Sequence, residues 1–213
     1  GGKAAVTATI TPATGPANGQ YGGYIVLTPQ GGGQVYRVPF AGFVGDYQGI
    51  VALANTAGFP FLSRLVACTK FLGLDCVLGG SYAPEEDDGA VFTFVGNDVP
   101  HFLVHFDHHV RVMHAIVRDA ATGAAVHPVF NRAIDEEYLP RNSTTTGFFA
   151  FPWDGTRIHS NGYNGKGYDK NLTKPVPDGD YVVEIRVLKA NGDASNPAHW
   201  ESWTSPVFTI DRP

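Results

Sequence analysis

The run His101-Phe-Leu-Val-His-Phe-Asp-His-His-Val-Arg-Val-Met-His114 gathers five of the chain's eight histidines around one aspartate. Imidazoles and a carboxylate together are a donor set that zinc accepts. On an extended strand, side chains alternate between faces, so His105, Asp107 and His109 line one face in steps of about 6.5–7 Å. Two imidazoles at that spacing can share a metal, with Asp107 as a ligand or as the outer partner that orients a ring. The opposite face would carry Phe102, Val104, Phe106, His108, Val110, Val112, His114 and Ile116, a mostly apolar series that reads as core. The competing reading is a hydrogen-bonded histidine cluster that serves the scaffold alone.

Other residue sets suggest other chemistry. Asp87, Asp88, Asp154, Asp169, Asp178 and Asp180 fall in loop-like stretches and offer oxygen ligands for a structural calcium. No D-x-[DN]-x-[DN]-G run is present, and Asp178-Gly-Asp180 is accounted for by turn chemistry ahead of a strand. Tyr163, Tyr168 and Trp200 could stack on sugar rings, while Trp153 and Trp203 adjoin expected strands and read as core. Cys68 and Cys76 read as a disulfide closing a short loop, against the alternative of two separate buried thiols. Asn142 and Asn171 open N-x-S/T triplets, so both are candidate glycosylation sites. No G-x-S-x-G elbow occurs, and no residue is assigned a catalytic role.

The elements that must position these residues are strands. Glycine (26) and proline (15) are abundant among 213 residues, only 16% are charged and Met occurs once, a mix poor in helix formers. Strands are expected at residues 5–11, 24–28 and 34–40 (the latter two a hairpin across a glycine turn), 91–95, 124–130, 148–153, 182–189 and 205–210, with one or two more in 102–119. Residues 50–77 stay undecided between loop, short strands and a brief helix. Residues 85–88 read as an acidic loop, 131–147 as a surface excursion and 157–177 as a Gly/Asn-rich insert. The fold class is therefore all-β, of immunoglobulin- or fibronectin-III-like sandwich type. A change of texture near 78–90 divides it into a partial unit at 1–78 and a fuller sandwich at 79–213.

A net charge of −5 without a Lys/Arg block leaves no electrostatic footprint for nucleic acid. No apolar run reaches the length of a membrane span. Gly1-Gly-Lys3 reads as a processed start, and the cysteine pair with two sequons points to a secreted, extracellular protein.

Val38-Pro-Phe-Ala-Gly-Phe-Val-Gly-Asp-Tyr47 resembles a signature of the fibronectin-III-like domains that follow the catalytic domain of large secreted subtilisin-like proteases. Val104-His-Phe-Asp-His108, residues 110–117 and the turn Arg118-Asp-Ala-Ala-Thr-Gly123 resemble the paired-strand core of the next such domain. Phe151-Pro-Trp-Asp-Gly155 with Pro177-Asp-Gly-Asp-Tyr181 is similar to a W-D-G … D-G-x-Y pattern found there, and also in immunoglobulin-like domains of flagellar-hook cap proteins. Asn196-Pro-Ala-His-Trp-Glu-Ser-Trp-Thr-Ser-Pro-Val-Phe208 resembles the end of such proteases.

The resemblance implies a non-catalytic accessory region with the triad upstream of Gly1. The G-T-S-M-A serine run of that family is absent here. It implies an H-x-D-H pattern that belongs to the scaffold; no cofactor is expected beyond the structural calcium or zinc considered above. Residues 5–11 and the hairpin would be the last strands of their domain, leaving an apolar face and an open edge. The expected cover is an upstream protease domain or a neighbouring copy adding a strand. Strand addition between copies is the alternative function, a self-assembling structural or adhesive subunit that forms filaments. A carbohydrate-binding module, with a polysaccharide surface as partner, is the third.

Overall fold

The computed structural model describes residues 3, 5–11, 15–54, 56–127, 132–158 and 173–213. The chain divides into two compact units, Gly1–Ile50 and Val51–Pro213.

In the first unit, β1 (Gln20–Leu27) and β2 (Tyr36–Phe43) pair antiparallel, Gln20 opposite Phe43 and Leu27 opposite Tyr36. The connection runs through Gly31, Gly32 and Gly33, all at positive φ, which glycine adopts without a Cβ penalty. Pairing sets rings over bare backbone. A Cβ on Gly23 would lie 3.0 Å from the Phe40 ring, and one on Gly42 would run into the Tyr21 ring. The register puts Tyr21, Ile25, Leu27, Tyr36, Val38 and Phe40 on one face. Part of that face is open: Tyr36 is 55% exposed and Val38 48%, while Tyr21, Ile25 and Phe40 are half-buried. Residues 5–11, expected as a strand, form none and are exposed. Alternation of small and β-branched residues specifies a strand only where a neighbour pairs with it.

The second unit carries β3 (Phe61–Ala67), β4 (Lys70–Leu72), β5 (Asp75–Leu78), β6 (Ser81–Pro84), β7 (Ala90–Phe92), β8 (Pro100–Val104) and β9 (Val110–Asp119). It continues with β10 (Ile134–Leu139), β11 (Phe149–Pro152), β12 (Thr156–Ile158), β13 (Thr173–Pro175), β14 (Gly179–Lys189), β15 (Trp200–Thr204) and β16 (Phe208–Ile210). One sheet has the order β11-β8-β3-β6. The other has the order β10-β9-β14-β16-β7, with β15 also on β14. Among the described residues only the β16–β7 pairing in these two sheets is parallel.

The two sheets close on one core. Leu62, Phe102 and Val104 of the first join Met113, Ala115, Val117, Val183, Ile185 and Val187 of the second, with Phe92 and Phe208, in a single buried cluster. The strand β14 shows how sequence directs this: Tyr181, Val183, Ile185 and Val187 are buried while Val182, Glu184 and Arg186 alternate outward. Burying each such apolar side chain contributes about 1.5–3 kcal/mol. The fold is an all-β sandwich.

Several elements differ from expectation. The chain divides at Ile50/Val51 rather than near residue 78, because β3 pairs with β8 across that texture change. The undecided stretch 50–77 holds β3, β4 and most of β5. The expected excursion 131–147 contains β10, which pairs with β9 through the polar run Asp135-Glu136-Glu137. An edge strand with one wet face reads as polar, and its sequence hides it. Between residues 124 and 127 only a bridge from Ala125 to Arg118 forms, and 128–131 lie outside the described residues. Within 157–177 the ends form the β12–β13 ribbon, and 159–172 lie outside the described residues.

The stretch 102–119 is two strands in different sheets. Residues 105–109 form the corner between them. Beyond it β9 bulges at Arg111 against β14, so Met113, Ala115 and Val117 face the core instead of Val112, His114 and Ile116.

Candidate functional site

The pattern Trp153-Asp154-Gly155 ends β11 in a tight turn. The Asp154 carboxylate accepts the Thr156 N–H at 2.9 Å and the Thr156 hydroxyl at 2.7 Å, while Trp153 Nε1 donates to the Thr156 carbonyl at 3.1 Å. Gly155 sits at φ +69°, where a Cβ would come within 2.5 Å of the Phe94 ring. The turn thereby fixes Trp153, 3% exposed, beside Tyr181 and Phe208.

Next to this turn lies a cavity of about 730 Å³. Separate stretches of the chain build it: Leu74 and Asp75 of the β4–β5 ribbon, His127, residues 132–136 at the start of β10, residues 151–154 with Thr156, and Thr173. Val126 is tied to β9 by its N–H to the Val117 carbonyl at 2.9 Å, which directs His127 inward. His127 is 3% exposed and neither ring nitrogen has a hydrogen-bond partner. Burial pushes its pKa down to about 4; Asp154 opposes the shift and Arg157 adds to it. The imidazole is therefore neutral near pH 7, one nitrogen a donor and the other an acceptor.

The cavity's charged wall is organised by Arg132. Its Nη1 donates to His114 Nε2 at 2.6 Å and its Nε lies 3.1 Å from Asp135. Burial, and then the Arg132 charge, lower the His114 pKa, which favours the neutral ring, whose unprotonated nitrogen can accept from Arg132.

The cavity residues escaped the sequence reading. Only the Trp153-Asp154-Gly155 turn stood out, and nothing in the local pattern marks His127. Of the residues singled out from sequence, Trp153 and Asp154 line this cavity, and the other described ones fall elsewhere. Cys68 and Cys76 form a disulfide. His105 donates through Nδ1 to the Gly147 carbonyl at 2.6 Å, and its Nε2 lies 3.3 Å from Asp107. Asp107 also accepts the Thr56 hydroxyl at 2.6 Å, and His109 Nδ1 accepts the Arg141 N–H at 3.4 Å. The corner replaces the extended strand that would have aligned the three donors. Among the described residues no group of three or more His, Cys, Asp or Glu side chains is placed to hold a metal.

Asn142 clamps the same corner: its Oδ1 accepts the Phe106 N–H at 2.7 Å and its own N–H donates to the Phe106 carbonyl at 2.9 Å. Trp200 is half-buried, with the Arg186 guanidinium 5.1 Å over its ring, the His114 ring 5.6 Å away and its Nε1 donating to Ala194. Asn171, Tyr163 and Tyr168, like Asp169, lie outside the described residues.

No family model matches this chain, and no curated protein matches it. Among solved structures it is similar to the crystal structure of CopC from Methylosinus trichosporium OB3b, at 15% identity and a TM-score of 0.29, over 70% of this chain and 94% of that one. A likeness at that level carries no argument about function.

Proposed function

We propose that this chain is a non-catalytic accessory β-sandwich region of a secreted subtilisin-like protease, serving as a spacer and a contact surface. The observation that supports this reading is the β1–β2 hairpin. It presents Leu27, Tyr36 and Val38 to solvent on one face, 38%, 55% and 48% exposed. A two-stranded ribbon is marginal by itself in water, and an apolar face left open at Leu27, Tyr36 and Val38 suits the addition of further strands. In the accessory reading an upstream segment of the parent protein supplies them. The disulfide suits an oxidising compartment. Among the described residues no helix is long and apolar enough to cross a membrane.

The test has two parts. The reading frame ahead of the Gly1 codon should encode a catalytic domain with an Asp, His and Ser triad; a frame without one overturns the reading. Amide exchange in β1 and β2 should slow when the upstream segment is attached, and unchanged exchange also counts against it. The same exposed ribbon favours a second reading, in which a neighbouring copy adds the missing strand. Light scattering and negative-stain imaging of the isolated chain decide that one: filaments or large rings support it, and a monomer of 22.8 kDa excludes it.

A further inference from the structure

The cavity beside Trp153 has a chemistry that neither a spacer nor a strand-sharing subunit uses. A buried polar group left unpaired destabilises the fold, and His127 leaves both ring nitrogens unpaired at 3% exposure. The cavity it lines is also electrostatically one-sided. Among the described lining residues Asp75, Asp135, Glu136 and Asp154 outnumber the cation Arg132, which Asp135 already engages at 3.1 Å; Arg157 adds a second positive charge near His127. Carboxylates concentrated at a concave, partly apolar site attract cations and repel anions. On the apolar side stand Leu74, Phe151 and Trp153.

We propose that this cavity binds a primary ammonium group on a methylene stem, as a lysine side chain of a peptide presents it. His127 accepts one ammonium hydrogen through its free ring nitrogen, the carboxylates take the others, and Leu74 and Phe151 cover the stem. An ammonium carries three donors and no acceptor, so it matches a wall of acceptors. A sugar hydroxyl would gain nothing from the excess negative charge. A planar guanidinium would need a paired, fork-like carboxylate. The volume of about 730 Å³ admits a lysine side chain with its flanking backbone. The inference is independent of what completes the β1–β2 hairpin.

The experiment is calorimetric titration of the full chain with acetyl-Gly-Lys-Gly-amide at pH 7 and low ionic strength. Saturable one-to-one binding is expected, weakened by at least about tenfold when the peptide amine is acetylated or when the exposed Glu136 becomes Gln. His127→Phe should abolish binding. Should that variant not fold, the His127 ring signals in the unaltered protein must shift on saturation. Absence of saturable heat overturns the proposal. So does equal affinity for the acetylated peptide or for a neutral oligosaccharide, or a His127 ring that does not respond.

Discussion

The Glu201 carboxylate accepts the Leu53 N–H at 2.6 Å, joining residues 148 apart in sequence. Its two oxygens also lie 3.0 Å from the Ala52 N–H, and Lys189 Nζ is 3.2 Å away. One buried-edge carboxylate thus anchors the start of the sandwich unit to β15. Glu201→Ala should cost about 2–3 kcal/mol, since backbone N–H groups at a 1%-exposed Ala52 lose a charged acceptor. Glu201→Gln, which keeps one acceptor oxygen, should cost less. Urea midpoints of the two variants check this, and a loss under about 0.5 kcal/mol for the alanine variant would contradict it.

Tyr181 Oη donates to the Pro177 carbonyl at 2.7 Å, a hydroxyl reaching back to the backbone just ahead of its own strand. This corner contact holds the loop entering β14 against the core. Tyr181→Phe keeps the ring packing on Trp153 and removes only the hydrogen bond, so about 1 kcal/mol should be lost with the denaturant slope unchanged.

Stability should depend on pH through buried histidines. Burial lowers the His127 pKa from the ordinary 6.5 to about 4, and burial likewise lowers those of His101 and His114. Below pH 6.5 the unfolded chain binds protons that the folded chain does not. Stability is therefore flat with respect to these groups above pH 6.5 and declines as pH falls from 6.5 toward about 4. Urea midpoints across that window should drop, and His127→Gln should flatten the slope. A wild-type slope that the variant reproduces would show that His127 is not its source.

Reduction of Cys68–Cys76 should open only the β4–β5 ribbon. Leu72 and Leu78 there are 71% and 60% exposed, and neither strand joins the core sheets. A loop this short gives an upper bound of about 3 kcal/mol in the chain-entropy model, and local opening without global unfolding realises less. Exchange mass spectrometry should show faster exchange at residues 70–78 and unchanged protection in β14. Loss of β14 protection on reduction would refute the local picture.

The alternating run at 181–187, the turn at Asp119–Gly123 and the glycine-joined hairpin were legible because each is encoded within a few residues. Period two with one buried face, an Asp side chain closing a turn onto Thr122, and glycine at positive φ are local properties. The all-β class and the hairpin follow from them, and the disulfide from two cysteines eight residues apart. The corner at residues 105–109 was not legible. Whether a strand continues or crosses to the other sheet depends on partners such as Asn142 and Thr56, far away in sequence. β10 was hidden because an edge strand with a solvated face looks like a loop. His127 shares a cavity with Asp75, Asp135 and Asp154 only because β5, β10 and the end of β11 converge. Local sequence determined which segments are strands and turns; tertiary pairing alone decided that His127 is buried without a hydrogen-bond partner in a cavity lined by carboxylates from other strands, because desolvation is a property of the assembled neighbourhood and not of any single stretch of chain.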